Sequence, residues 1–230
     1  MKVKVFTIFP DIFPGFLGYS LTGKALKEGL WSIETVNIRD YAFDKHGSVD
    51  DTPCGGGAGM IMRPDVLGAA LEANTQKGER IICMSPRGEP LTQRKVRELS
   101  QAESLNIVCG RFEGIDERVL EAYHIEEISI GDYILTGGEQ AALVMLDAVI
   151  RVLPHVLGNE ESLSDESFEN ILLEHPQYTR PVEWCGRKVP EVLLSGHHQK
   201  IDEWRHQEAI KITQSRRPDL YQKYLDLKKE

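Results

Sequence analysis

The residues that best indicate a site for chemistry are glycines that follow two predicted buried strands near the middle of the 230-residue sequence. The first apolar run stops at Gly110, and the next one stops at Gly131. Because glycine has no Cβ, its backbone can adopt positive φ or come into contact with a ligand. One glycine-ended strand is typical of an ordinary turn. Two in tandem, followed by Gly137 and Gly138 at the start of the next predicted helix, indicate a ligand site lined by backbone.

The elements that must position these glycines alternate strand, loop and helix along the chain. Predicted strands cover residues 2–9, 33–38, 80–84, 105–109 and 126–130, and predicted helices cover residues 22–30, 64–74, 91–101 and 138–153. This alternation predicts an α/β fold with a mostly parallel sheet and helices on both faces. The third strand is followed by Pro86 and Gly88. Ligands bind outside the carboxyl ends of strands in such sheets, where we expect three strand ends to converge.

Several strings in the sequence carry a family resemblance. They are TIFPDIF at residues 7–13, DDTPCGGGAGM at 50–60, SPRG at 85–88, GRFEGIDER at 110–118, SIGDYILTGGE at 129–139 and HPQYTRP at 175–181. Together they resemble the signature of the bacterial tRNA (guanine-N1)-methyltransferases of the SPOUT class. The match runs from residue 2 to about residue 220, which is nearly the whole chain.

The resemblance implies a fold and a methyl donor. Residues 1–158 are expected to form the methyltransferase domain, ending in a C-terminal trefoil knot that periodicity alone does not predict. The donor would be S-adenosyl-L-methionine, held in a bent shape by the strand-end loops. Glu113 would lie near the charged end of the donor. Magnesium is considered as an additional cofactor. The donor-binding residues implied in this way are Pro86, Gly88, Gly110, Glu113, Ile130, Gly131, Asp132, Tyr133, Ile134, Leu135, Gly137 and Gly138.

Methylation of N1 of guanine requires a base, because the N1 proton is retained at neutral pH. As that proton leaves, negative charge develops on O6, where an arginine can stabilise it. The resemblance assigns this role to Arg151, although an arginine in the last turn of a helix also interacts favourably with the helix dipole. In the family pattern an aspartate before a Ser-Phe pair is the base, whereas this sequence has Glu166 there, preceded by Asp165. We favour Glu166 and keep Asp165 as the alternative.

The net charge of −9 argues against a nucleic-acid partner, but the distribution of charge does not. Residues 171–230 carry 11 basic and 9 acidic side chains, so the acidic excess lies earlier in the chain. Composition predicts a flexible linker at residues 159–169 and a small helical domain at residues 170–230. By resemblance, this domain would hold tRNA mostly through phosphates, and the target would be the guanosine immediately 3′ of the anticodon.

The resemblance also implies a homodimer with its seam along the predicted helix at residues 138–153. Small and apolar side chains suited to close helix packing are Ala141, Ala142, Met145, Val149 and Val152. None of the four cysteines forms a C-x-x-C pair, which favours a reducing, cytoplasmic compartment. The sequence predicts neither a signal peptide nor a membrane-spanning segment.

Other interpretations have less support. Residues 18–25 nearly fit the phosphate-binding pattern G-x-x-x-x-G-K, but Ala25 replaces the hydroxyl residue that ligates magnesium. His197 and His198 lack the spacing of a zinc site, so no metal site is predicted. A non-catalytic RNA-binding protein on the same scaffold has no chemical need for Arg151 and a linker carboxylate. A third interpretation is another SPOUT RNA methyltransferase that acts on a ribose hydroxyl or on rRNA. Only the family resemblance argues against this interpretation, because the residue patterns fit it equally well.

Overall fold

The computed structural model describes residues 1–157, 166–168 and 171–228, and the chain divides into two compact units, Met1–Gly158 and Asn159–Glu230. The strands of the first unit are β1 Lys2–Thr7, β2 Ser32–Asn37, β3 Asp50–Asp51, β4 Ile61–Met62, β5 Ile81–Pro90, β6 Ser104–Cys109 and β7 Glu126–Ser129. Its helices are α1 Ser20–Lys27, α2 Pro64–Asn74, α3 Gln93–Ser100, α4 Glu117–Ala122 and α5 Gly138–Ile150, with 3₁₀ turns at Pro10–Ile12, Gly15–Gly18 and Ile38–Tyr41.

A parallel sheet forms the centre of the first unit. In the described part of the chain its five strands lie in the order β2-β1-β6-β5-β7, and every neighbouring pair is parallel. The first four residues of β5 and all of β6 after Ser104 are buried. Strands buried on both faces need a mostly apolar sequence, which these segments have apart from the buried Asn106 of β6. The predicted α/β fold with a mostly parallel sheet is confirmed.

Two hydrophobic cores cover the two faces of this sheet. Successive side chains of a strand point to opposite faces, so Ile82 and Met84 pack in one core, while Ile81 and Cys83 pack in the other. The first core is completed by α1, α3 and α5, and the second by α2 and α4. Each large apolar side chain buried in this way contributes about 1.5–3 kcal/mol before chain entropy is counted. With both faces covered, the ends of the strands are left for a site.

Two differences from the sequence-based helix prediction concern the predicted site residues and their surroundings. The short helix α4 was not predicted; its first turn is capped by Asp116, whose side chain accepts a hydrogen bond from the backbone N–H of Arg118 at 3.0 Å. Helix α5 ends at Ile150, three residues before the predicted end. Arg151 is therefore the residue that caps α5 at its C-terminus rather than a member of its last turn.

The second unit is small and mostly helical. It contains a hairpin of β8 Glu183–Trp184 and β9 Arg187–Lys188, followed by α6 Glu191–Leu194, α7 His198–Arg216 and α8 Pro218–Leu227. The hydroxyl of Thr213 accepts a hydrogen bond from the backbone N–H of Leu173 at 2.8 Å and donates one to the carbonyl of Ala209 at 2.7 Å. The sequence predicts helices at residues 201–213 and 218–227, and both are present, the first within α7 and the second as α8. The hairpin was not predicted. Among the described residues of the whole chain, no helix has the length and apolar character needed to cross a membrane.

Candidate functional site

A cavity of about 1100 Å³ opens at the carboxyl ends of β5, β6 and β7. Among the residues that line it are ten of the twelve predicted donor-site residues, namely Pro86, Gly110, Glu113, Ile130, Gly131, Tyr133, Ile134, Leu135, Gly137 and Gly138. In the described part of the chain, Gly88 and Asp132 are outside this lining. The three strand ends thus meet around one space that is large enough for a nucleoside-sized ligand.

The first wall of the cavity is a bulge in β5. This strand pairs with β7 in one register up to Met84 and in another from Glu89 onwards, so residues 85–88 leave the regular ladder. Pro86 lies in the bulge and lines the cavity. Gly88 instead lies against β7, because a Cβ there would stand only 2.6 Å from the carbonyl oxygen of the neighbouring strand. The absence of a side chain at Gly88 lets the two backbones approach.

The second wall is the loop from β7 to α5. Gly131 has φ of +145°, which favours glycine, and the hydroxyl of Ser129 bonds at 3.2 Å both to its N–H and to its carbonyl oxygen. The N–H of Tyr133 returns to the same carbonyl at 2.9 Å. Tyr133 and Ile134 are 54% and 78% exposed. The tight turn therefore presents an apolar edge to the cavity, a surface suited to a flat aromatic ligand.

The third wall is the loop from β6 to α4, and it carries a carboxylate. The N–H of Glu113 donates to the carbonyl of Met60 at 2.9 Å, which joins this loop to the glycine-rich segment before β4. Gly59 has φ of +89°, and a Cβ on it would stand 2.6 Å from Oε1 of Glu113. Only glycine lets the segment close over this side chain. Glu113 is thereby held at the wall of the cavity, where it can meet a cationic group of a ligand.

A buried ion pair joins the second and third walls. Glu139, in the first turn of α5, is 2% exposed, and its Oε1 accepts a hydrogen bond from the hydroxyl of Thr7 at 2.8 Å. Its Oε2 lies 2.9 Å from Nε of Arg111, close enough for an ion pair although outside hydrogen-bond geometry. Arg111 also donates to the carbonyl of Thr136 at 3.2 Å and lies 4.5 Å over the ring of Phe9. We name this contact the Arg111–Glu139 bridge.

The sequence analysis did not single out either residue of the bridge. One signal was present, because Glu139 is an acidic side chain directly after Gly137 and Gly138 in a helix that is otherwise mostly apolar. A Cβ on Gly137 would stand 2.6 Å from Cζ of Arg111, so this glycine makes room for the guanidinium. The bridge therefore explains part of the glycine pattern that the sequence analysis had attributed to ligand contact.

An exposed arginine fixes the rim of the cavity. Nη2 of Arg87 lies 3.0 Å from Oε2 of Glu117 and 3.2 Å from Oε1 of Glu127, so it connects the bulge to α4 and to β7. The hydrogen bond that Arg87 donates to Glu117 and the charge of Glu127 raise the pKa of Arg87 above its ordinary value. Because the guanidinium is mostly exposed, these contacts add little stability, and their effect is to hold a cation in place.

The two buried cysteines beside the cavity are apolar core residues. Burial raises the pKa of Cys83 to about 12 and the pKa of Cys109 well above its ordinary value. The nucleophilic form of cysteine is the thiolate, which is scarce at neutral pH when the pKa is this high. A reaction in this cavity therefore does not use a cysteine nucleophile at either position.

Of the predicted catalytic residues, Arg151 lies away from this cavity within one chain. Arg151 follows the last residue of α5, whereas the first turn of α5 borders the cavity. A helix of 13 residues rises roughly 20 Å, so about one helix length separates Arg151 from the cavity wall. Glu166 is half-buried and belongs to the second unit. Asp165 lies outside the residues that the structure describes.

Comparison with known proteins gives consistent results over nearly the full chain. Residues 1–223 match the family described as tRNA (Guanine-1)-methyltransferase TrmD. A Bartonella tribocorum protein is 60% identical over 97% of this chain and 96% of its own length. A Rhodospirillum rubrum protein is 58% identical over 98% and 94%, and a Rhizobium etli protein is 56% identical over 96% of each. All three are named tRNA (guanine-N(1)-)-methyltransferase. The chain therefore belongs to the tRNA (guanine-1)-methyltransferase TrmD family.

Proposed function

We propose that this protein is a tRNA (guanine-N1)-methyltransferase that uses a methyl donor of the S-adenosyl-L-methionine type. Family membership over residues 1–223 supports the reaction and the tRNA substrate. The observation that carries the proposal in this chain is the cavity at which three strand ends meet. The guanosine immediately 3′ of the anticodon is the target implied by the resemblance, and the cytoplasm, where tRNA is used, is the proposed location.

The lining of the cavity fits S-adenosyl-L-methionine. The apolar edge of Tyr133, Ile134 and Leu135 suits the adenine ring, and the surrounding backbone of the tight turn offers polar groups for its edge. Glu113 suits the cationic end of the donor. When bound, the donor supplies an electrophilic methyl group on a sulfonium. The trefoil knot is proposed on the resemblance alone.

Magnesium is proposed on the resemblance alone. Among the described residues, no group of three His, Cys, Asp or Glu side chains is arranged to hold a metal ion. A magnesium ion keeps oxygen ligands in a near-octahedral arrangement and often shares them with a bound substrate. We therefore propose that any magnesium ion takes some of its ligands from the donor or from tRNA.

The chemistry at guanine requires a base and a group that stabilises the charge on O6. In the proposed mechanism Glu166, or Asp165 in its place, accepts the N1 proton, and Arg151 stabilises the developing oxyanion. Because Arg151 is roughly one length of α5 from the cavity of its own chain, we propose that it acts with the cavity of a second chain. The active site would then be assembled from two copies.

A homodimer is also supported by exposed apolar side chains near α5. Val144 on α5 is 47% exposed, although its neighbours in the helix are mostly buried. The 3₁₀ turn Gly15–Gly18 packs against α5 close to Leu143. Exposed apolar side chains lie within this turn and after it, namely Phe16, Tyr19 and Leu21. Apolar side chains left on the surface beside a helix are typical of subunit interfaces. We propose that this face forms the seam between two copies.

One experiment tests the proposed function directly. The protein is incubated with unmodified tRNA and isotopically labelled S-adenosyl-L-methionine, and the digested nucleosides are identified by mass analysis. The expected product is N1-methylguanosine, with tRNA lacking a guanosine at the target position as the matched control. Label in a 2′-O-methyl nucleoside, or no label in tRNA under conditions where the donor binds, would contradict the proposal.

A further inference from the structure

The hairpin of β8 and β9 is a short, well-defined element of the second unit. Its two central residues, Cys185 and Gly186, have φ of +51° and +74°, the signs required by the tight turn that fits the twist of two paired strands. The N–H of Val189 donates to the carbonyl of Val182 at 2.9 Å and closes the base of the hairpin. The backbone between these two valines is therefore held as a hairpin, and the strand pairing sets the face on which each side chain stands.

One face of this hairpin combines an aromatic and a cationic side chain. Trp184 is directly opposite Arg187 across the two strands, so the two side chains share a face. Val182 lies two residues before Trp184 and joins the same face, because alternate residues of a strand point the same way. The opposite face carries Glu183 and Lys188, which are 3.8 Å apart. We name the first face the Trp184–Arg187 face.

This face is exposed to a degree that packing within the second unit does not explain. Trp184 is 64% exposed and Val182 is 47% exposed. A two-stranded hairpin of this size contributes little stability by itself, and an exposed tryptophan adds none through burial. The other tryptophan of this unit, Trp204, is in contrast half-buried and makes ring contacts with His175 and Tyr178. Trp184 is thus left available to a partner.

The charge around this face identifies the class of partner. Residues 177–188 carry three basic side chains and one acidic side chain, within a chain whose net charge is −9. The basic members are Arg180, Arg187 and Lys188, and all three are exposed. Arg187 lies on the Trp184–Arg187 face itself, whereas Lys188 lies on the opposite face of the hairpin. Aromatic rings beside arginine and lysine bind unpaired nucleotides, because every base can stack on a ring and every phosphate attracts the cations. A polyanion with unstacked bases complements this surface.

We propose that the Trp184–Arg187 face binds an unpaired nucleotide of the tRNA substrate, with the base stacked on Trp184 and a phosphate held by Arg187. The inference rests on the proposed function, since it names a contact for the same substrate. It assigns the hairpin a role in holding tRNA that is separate from the donor cavity.

The test measures tRNA affinity and donor affinity in the full-length protein. Trp184→Ala should weaken tRNA binding by roughly five- to 150-fold, the range expected for loss of one stacked base. Trp184→Phe should keep most of the affinity because it keeps a ring. Arg187→Ala should lower the dependence of tRNA binding on salt by about one phosphate contact. Calorimetry should give wild-type donor affinity for all three variants.

Two controls separate stacking from a change in folding. Leu227→Ala removes a side chain of α8 that is 57% exposed, and it should leave tRNA affinity unchanged. Tryptophan fluorescence gives a second measurement, because a base stacked on Trp184 quenches its emission. Wild-type protein should lose more fluorescence on addition of tRNA than Trp184→Phe does, independently of whether Trp184→Ala folds well.

The outcomes distinguish failure of this inference from failure of the proposed function. Wild-type affinity and wild-type quenching in the Trp184 variants, in a protein that forms N1-methylguanosine, would overturn the inference alone. A change of the Trp184→Ala variant from dimer to monomer in sedimentation would also overturn it, because the face would then contact a second copy of the chain. If the wild-type protein methylates no guanosine, the proposed function fails first.

Discussion

Glu139 lies in an unusual place for an acidic residue, buried at the start of a mostly apolar helix. Removing a carboxylate from water is unfavourable unless cations and donors compensate for the lost hydration. Thr7 and Arg111 provide that compensation, and Arg111 also reaches the carbonyl of Thr136 in the loop after β7. At the scale of single residues, the Arg111–Glu139 bridge therefore holds together two of the loops that bound the cavity.

Replacing Glu139 tests this bridge. Glu139→Gln leaves the largely buried guanidinium of Arg111 without its counter-charge, so we expect the free energy of unfolding to fall by about 1–3 kcal/mol. The loosened loops should also weaken donor binding by about tenfold. Urea unfolding and calorimetry check the two effects. The matched control is Glu28→Gln, which breaks an exposed pair with Lys24 and should change stability by less than about 0.5 kcal/mol. Unchanged donor affinity in Glu139→Gln would refute the positioning role.

Replacing the proposed base gives a different pattern. Glu166→Gln should lower turnover by about 10²–10⁴-fold, the usual contribution of a general base, while donor affinity stays at the wild-type value. Turnover is measured under saturating donor and tRNA. Wild-type turnover in Glu166→Gln would move the assignment to Asp165, and Asp165→Asn should then show the loss. Full activity of both variants would exclude a base at these two positions.

At the scale of elements, the bulge of β5 is the feature that shapes the cavity. Two registers of the β5–β7 pair leave residues 85–88 outside the ladder, and Gly88 lies where no side chain fits. The bulge therefore sets both the position of Pro86 at the cavity and the spacing of two core strands.

A methyl group at Gly88 should disturb both properties. Gly88→Ala brings a Cβ into the backbone of β7, so we expect a loss of stability of about 1–3 kcal/mol together with weaker donor binding. Gly68→Ala is the matched control, because that glycine is within α2 and a Cβ there has only ordinary contacts with Tyr123 at 3.6 Å. The control should be neutral or stabilising by up to about 1 kcal/mol. Thermal unfolding of both variants checks the contrast, and equal effects would contradict it.

A group of charged residues links α3 to the sheet and predicts how stability depends on pH. Arg80 and Lys95 lie 2.6 Å and 2.9 Å from the carboxylate of Glu126, and both also contact Glu98. Burial raises the pKa of Glu126, but hydrogen bonds from Lys95 and Arg80 outweigh it, so the pKa is below its usual 4.5. A carboxyl group of this kind stabilises the fold above pH 4.5 and loses that contribution as pH falls through its folded pKa.

The measurement is the free energy of unfolding from neutral pH down to about pH 3, in wild type and in Glu126→Gln. Wild type should be the more stable protein at neutral pH, and the difference should shrink as the solution becomes acidic. A difference that stays constant over this range would show that the charge of Glu126 does not contribute.

The sequence predicted the elements of the sheet better than their ends. Short and mostly apolar runs bounded by turn signals, such as residues 105–109, are typical of strands buried on both faces. The extension of β5 to Pro90 was not predictable, since Pro86 and Gly88 are typical of a turn. Helix α4 was missed because six residues are too few for a periodic pattern. The hairpin at Cys185 and Gly186 was missed because each of its strands has only two residues.

The site was predictable only where it is made of backbone. Glycines mark tight turns in a sequence, so the sequence alone predicts that Gly110, Gly131 and Gly137 lie at one end of the sheet. The Arg111–Glu139 bridge was not predictable, because its residues are distant in sequence and their pairing depends on how α5 packs on β1 and β6. Local patterns carry no information on such contacts.

At the scale of the whole molecule, the proposed active site needs two copies of the chain. The cavity and Arg151 are at opposite ends of α5, and exposed apolar side chains lie along the same region. If each active site is formed by residues of two chains, two variants that are inactive alone should recover activity when their chains form a mixed dimer.

Complementation can be measured by mixing chains that are defective in different ways. Arg151→Ala removes the proposed oxyanion contact, and Gly131→Ala strains the loop that forms the donor site, because Gly131 has φ of +145°. Each variant alone should form little N1-methylguanosine. Co-expressed chains should recover part of the wild-type activity, since a mixed dimer contains one intact site. No recovery in dimers shown to be mixed would place both functions in one chain.

The most direct measurement is a crystal structure of the protein with S-adenosyl-L-methionine or its demethylated product. We expect the adenine ring against Tyr133, Ile134 and Leu135, and the amino-acid end of the ligand near Glu113. A ligand bound anywhere outside the cavity at the ends of β5, β6 and β7, or no binding at saturating concentration, would contradict the assignment of this cavity as the methyl-donor site.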